Sequence, residues 1–114
     1  MSKEKPKPPA HLRTVTKDWW QDVLNWYELE PHHVRLLTLA CESWDRGVDA
    51  REAITQHGAV FTDRFGQPRA RPEIAIERDS RVAFARLLRE LGLDLDEPPE
   101  SRTHRVHASA KRRR

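Results

Sequence analysis

The chain has 114 residues, 37% of them apolar and 34% charged, with a formal net charge of +3 and one cysteine. That length suits one domain with tails, and a lone cysteine excludes an internal disulfide. No apolar run approaches the roughly 18–20 residues of a membrane span and the N-terminus lacks the apolar core of a signal peptide, so a soluble, intracellular protein is expected.

The opening MSKEKPKPPAHLR is rich in Pro and Lys and predicts a flexible basic arm over residues 1–13. Lys3, Lys5, Lys7 and Arg13 against Glu4 give it a charge of +3. Residues 101–114 carry Arg102, Arg105, Lys111, Arg112, Arg113 and Arg114 and no acid, a charge of +6, so the stretch between carries −6 to leave +3 overall. An acidic body with basic arms is the pattern of flexible tails that meet a polyanion. The plainer alternative is tails that only aid solubility.

A first helix is expected from near Thr16, whose hydroxyl suits an N-cap, with Asp18 beside the positive helix end. Val15 and Trp20 stand at the spacing of a hydrophobic staple. Trp19, Trp20, Val23, Leu24 and Tyr27 recur on one face. Such a face reads as core and interface packing ahead of base stacking by the tryptophan pair.

ELEP makes a tight break, and Pro31 starts a second helix that runs to His57 before Gly58 stops it, roughly 40 Å at 1.5 Å per residue. Val34, Leu37, Cys41, Trp44 and Val48 form one apolar stripe; Leu36, Leu39 and Ala40 add a patch on another side. A helix apolar on two sides packs against two neighbours, which helices one and three or a second subunit can supply. Gly47 marks a bend. Glu42, Asp45 and Asp49 read as a solvated outer face rather than a metal site.

GAVFTDRFGQPRAR differs in kind. Ala59 to Thr62 alternate weakly, and DRFGQP carries turn residues, which predicts a short hairpin-like loop with Arg64 and Phe65 at its tip and Arg69 and Arg71 on the way out. A third helix follows from Pro72 to Gly92, burying Ile76, Phe84, Leu87, Leu88 and Leu91, with Glu77 and Arg81 at ion-pair spacing and Leu93 folding back on Leu88. After Gly92 no apolar period is sustained. The expected architecture is therefore mainly α: a three-helix body over residues 14–95, a hairpin-like loop between helices two and three, and a disordered basic tail over 96–114.

Catalytic chemistry is missing from the sequence. There is no Gly-rich phosphate loop of the GxxxxGK[S/T] kind. His32 and His33 sit about 100° apart on a helix and make poor joint metal ligands, and Cys41 lies on the apolar stripe as a structural thiol. Neither a cofactor nor a metal is expected. A helix-turn-helix reader is disfavoured too, because helix two presents Glu42, Asp45 and Asp49 beside Arg35 and Arg46, and the link to helix three exceeds the usual turn. Phosphate contacts from the arms and from the DRFGQPRAR loop fit better than base readout by the body.

The order of these features resembles the phage terminase small subunits of double-stranded DNA packaging. The resemblance begins at PPAHL, passes through TKDWWQDVL and the long second helix, and includes GAVFTDRFGQPRARPEIAIERDSRVAFARLLRELGLD, about residues 8–95 in all. It implies a helical protomer that assembles into a ring of roughly eight to twelve copies, binds viral DNA to select the genome, and delivers or regulates a large subunit that supplies ATP hydrolysis and DNA cleavage. Some relatives also work beside an HNH endonuclease. The implied setting is the cytoplasm of an infected bacterium, and no active-site residues carry over.

On this reading DNA contact falls to Lys3, Lys5, Lys7, Arg64, Arg69, Arg71, Arg102, Arg105, Lys111, Arg112, Arg113 and Arg114. Trp19, Trp20, Leu36, Leu39, Trp44 and Phe84 serve as core or subunit-interface anchors. The alternative from another class is a small dimeric DNA-binding regulator. A third is a virion adaptor that binds only protein.

Overall fold

Two prolines and two glycines frame the long helices. In the computed structural model, which describes residues 6–93 and the backbone of Lys111–Arg112, α2 runs Pro31–His57 and α3 Pro72–Leu91. Each has Pro at its first position, where the missing N–H costs nothing. Gly58 ends α2 with φ +88°, its N–H donating to the Ile54 carbonyl at 2.7 Å. Gly92 ends α3 in the left-handed region, φ +68° and ψ +37°, its N–H shared between Leu88 and Arg89. Glu30 and His33 close a reciprocal box at the start of α2, with His33 Nδ1 accepting from the Glu30 N–H at 3.2 Å.

The first helix, α1, spans Thr14–Trp26 and begins earlier than the sequence suggests. Thr16 is no cap: it lies inside the first turn, buried, and its hydroxyl donates to Asp45 Oδ1 at 2.5 Å. The bond joins α1 to a carboxylate of α2, a stronger acceptor than a neutral backbone carbonyl. Val15 is likewise inside the helix and 78% exposed, so the expected staple with Trp20 does not form.

The three helices enclose one small core of Leu12, Trp20, Val23, Tyr27, Leu37, Cys41 and Leu91, with Trp19, Leu24, Val34, Leu36, Leu88 and Leu93 packed against it. Burial of each such Leu or Val is worth about 1.5–3 kcal/mol. Trp20 keeps its polar edge satisfied by donating Nε1–H to Thr38 Oγ1 at 3.2 Å. Gly47 lies within the continuous α2 and faces α3, where an added Cβ would meet Ser80 Cβ at ordinary contact distance, 3.5 Å. Close by, Glu77 accepts from both Arg81 at 2.6 Å and Arg51 at 3.2 Å, tying the two helices together. Those two guanidiniums hold the Glu77 carboxyl below its usual range, Arg81 more strongly.

Two short antiparallel pairs complete the fold. β1, Tyr27–Glu28, pairs with β4, Lys111–Arg112, in the register Tyr27↔Arg112 and Glu28↔Lys111. The Tyr27 hydroxyl also donates to the Leu93 carbonyl at 3.1 Å, so Tyr27 meets both Leu93 and Arg112. β2, Val60–Thr62, pairs with β3, Pro68–Ala70, forming the hairpin foreseen between α2 and α3.

Candidate assembly face and nucleic-acid interface

Where α1, α2 and α3 meet, the small core leaves a groove of about 400 Å³ open, lined by Val15, Thr16, Trp19, Trp44, Phe84 and Leu88. Three of the four aromatic anchors named from sequence converge here. Phe84 lies 5.0 Å from Trp44 and 6.0 Å from Trp19 between ring centroids, both tilted, and the Arg51 guanidinium sits 5.7 Å over Trp44. Trp44 stays 45% exposed, a large apolar surface for a monomer to leave in water. The fourth aromatic, Trp20, is core alone at 2% exposure. Leu36 packs on the core, and Leu39 stands half-exposed on another side of α2. Val15 is the groove residue that sequence reasoning mistook for a staple.

The hairpin is the second surface. Asp63 builds its turn: Oδ1 accepts from the N–H groups of Phe65 and Gln67, both at 2.9 Å, and Oδ2 accepts from Arg69 Nε at 3.0 Å. The Gln67 N–H, then Arg69, holds the Asp63 carboxyl below its usual range. Gly66 supplies the left-handed corner at φ +78°. This scaffold carries Phe65 at its tip, 72% exposed, with the Arg64 guanidinium 4.9 Å from the ring centroid. Arg69 flanks the turn, exposed at its outer end, whereas Arg71 is half-buried beside Glu73 at 3.5 Å. The three loop arginines thus have different partners, Arg64 the Phe65 ring, Arg69 Asp63 and Arg71 Glu73.

The acidic side of α2 is solvated in part only: Asp49 and Glu52 stay exposed, whereas Asp45 is buried. The segment before α1 lies across it. His11 Nε2 meets Glu42 at 2.7 Å, the Arg13 N–H donates to Asp45 Oδ2 at 2.8 Å, and the Arg13 guanidinium bridges Asp49 and Glu52. Asp45 is only 9% exposed. The two carboxylates Glu52 and Asp49 raise the Arg13 pKa further above its already high value. Three acids on one helix side cost less when an arm of opposite charge is folded onto them. Nothing in the spacing of Glu42, Asp45 and Asp49 reveals that partner, which lies about thirty residues away in sequence.

Lys7 is exposed. Lys3, Lys5, Arg102, Arg105, Arg113 and Arg114 lie outside the described residues, as do the side chains of Lys111 and Arg112, residues 1–5 of the N-terminal stretch and most of the C-terminal one. Burial pushes the Cys41 thiol up to about 12, with Asp45 and Glu42 adding to it, which suits a packing residue and not a nucleophile. Among the described residues no group of three or more His, Cys, Asp or Glu could hold a metal ion, and no helix is long and apolar enough to cross a membrane.

A family model described as phage terminase, small subunit, matches residues 17–109, which covers all of α2, the hairpin and α3 and most of α1. No curated protein and no solved structure matches the chain.

Proposed function

Because the chain belongs to the phage terminase small-subunit family, whose members are generally the non-catalytic subunits of phage DNA packaging, we propose that it binds viral double-stranded DNA as an oligomer and regulates a large terminase subunit. One observation supports this above the others: a three-helix body leaves an aromatic groove open on one face, while a built hairpin carries Arg64, Phe65 and Arg69 outward. The groove around Val15, Trp19, Trp44 and Phe84 is the surface on which copies pack. Assembly multiplies the basic hairpin and the basic residues at both chain ends, so that weak phosphate contacts per protomer sum to strong binding. ATP hydrolysis and cleavage belong to the large subunit on this reading, and the complex works in the cytoplasm of the infected host.

Native mass spectrometry across protein concentration and salt tests the assembly. A single closed species, a ring of roughly eight to twelve subunits, is the expected result. A dimer that never grows, even with DNA or the large subunit, refutes it and favours the regulator. Deleting residues 102–114 should weaken DNA binding and flatten its salt dependence, since six of the chain's cations leave with it. Unchanged binding at low and moderate salt removes the tail from the mechanism.

A further inference from the structure

Phosphate contact needs only charge and reach, yet the hairpin tip carries an aromatic ring at 72% exposure. Phe65 is not loose: its own N–H is held by Asp63 Oδ1 at 2.9 Å, Gly66 turns the corner behind it, and the β2–β3 register fixes both flanks. Arg64 stacks over the ring at 4.9 Å. The single acid of the loop, Asp63, faces inward onto backbone N–H groups and Arg69, so the tip presents cations and one ring outward. A cationic aromatic tip complements a polyanion that also has apolar groups to offer, which is duplex DNA rather than an apolar protein surface.

Dimensions decide the groove. Two paired strands lie about 4.8 Å apart and form a ribbon made wider by its side chains. The major groove, about 12 Å wide, admits such a ribbon, and the minor groove, about 6 Å wide, does not. A three-residue strand reaches about 10 Å, against a major-groove depth of about 8.5 Å, so the tip arrives at the base edges. The apolar group displayed there is the thymine methyl.

We propose that the β2–β3 hairpin enters the DNA major groove and that Phe65 is a base-contacting residue that packs on thymine methyl groups, with Arg64 held beside it as its cation. The proposal rests on the DNA-binding reading above and adds base contact to it.

The test is equilibrium binding of the full chain to one mixed-sequence duplex made either with thymine or with uracil, which lacks the methyl. Wild type should favour the thymine duplex by about fourfold, the worth of one buried methylene, and Phe65→Ala should bind both duplexes equally while keeping its melting temperature. Equal, salt-sensitive binding of both duplexes by wild type overturns base contact and leaves phosphate binding standing. Retention of the thymine preference by Phe65→Ala also overturns it. No salt-sensitive binding of either duplex by wild type overturns the DNA-binding reading itself.

Discussion

Replacing Asp45 by Ala tests whether the buried carboxylate fixes α1 on α2. Asp45 is 9% exposed and takes two hydrogen bonds, from the Thr16 hydroxyl at 2.5 Å and the Arg13 N–H at 2.8 Å. Hydrogen bonds to a charged group contribute about 1.5–3 kcal/mol each, and a buried hydroxyl left without an acceptor costs about 1–3 kcal/mol. Thr16 is 4% exposed and is left largely without an acceptor, whereas the Arg13 N–H can rehydrate once the arm loosens. The expected loss is therefore about 2–4 kcal/mol, a large share of the roughly 5–15 kcal/mol typical of a domain. Thr16→Ala should cost about 1–2 kcal/mol, and the double variant little more than Asp45→Ala alone, because both substitutions remove one shared bond. Urea unfolding followed by far-UV circular dichroism, at one protein concentration so that association stays constant, reads these differences with the denaturant slope unchanged. A change within about 0.5 kcal/mol for Asp45→Ala, or full additivity in the double variant, refutes the reasoning.

Three further outcomes follow from the geometry. Folding raises the Cys41 thiol from an ordinary 9.0 to about 12, so the unfolded chain releases this proton first. Wild type should then lose stability relative to Cys41→Ala as pH rises from 9 toward 12, and native protein should resist thiol labelling at pH 8; equal pH slopes would count against it. Asp63→Ala adds net positive charge to the hairpin yet should weaken DNA binding and speed amide exchange at Phe65 and Gln67, because it dismantles the turn; tighter binding would show that charge alone matters. The Asp63 carboxyl is held below its ordinary 3.8, so its contribution to the turn is complete above that pH and is lost as pH falls through the lower folded-state value. Val15→Lys, at a groove position 78% exposed, should lower the assembled mass while leaving helix content unchanged and the protomer's unfolding free energy within about 0.5 kcal/mol of wild type; unchanged mass would place the assembly face elsewhere.

Much of this fold was legible in sequence, because its strongest signals are local. Pro31 with Gly58 and Pro72 with Gly92 mark helix ends through backbone constraints that need no distant partner. DRFGQP likewise encodes its turn within six residues, as does the i, i+4 pair of Glu77 and Arg81. What stayed hidden depends on contacts between segments remote in the chain. Thr16 looked like a cap until Asp45 claimed its hydroxyl, and Asp45 looked solvated until Thr16 and the Arg13 N–H buried it, while Asp49 and Glu52 stay exposed beside Arg13. The pairing of Lys111–Arg112 with Tyr27–Glu28 has no local signature at all. At the candidate site, the groove's aromatics were visible as an apolar period, but periodicity cannot separate a core tryptophan such as Trp20 from a rim one such as Trp44.

The α2–α3 crossing carries a consequence for how this sequence is free to drift. Gly47 faces Ser80 with room for one methyl at ordinary contact distance and no more, since the added atom would already stand 3.5 Å from Ser80 Cβ. Ser80 is itself 5% exposed, so it has nowhere to swing. Enlargement at either position is then tolerable only if the other shrinks, and the two sites form a volume-coupled pair. Across relatives that keep this crossing, positions 47 and 80 should covary in size, small against small or Gly against a modest side chain. Lineages that place bulk at both must separate the helices, and with them the spacing of Trp44 and Phe84 on the groove.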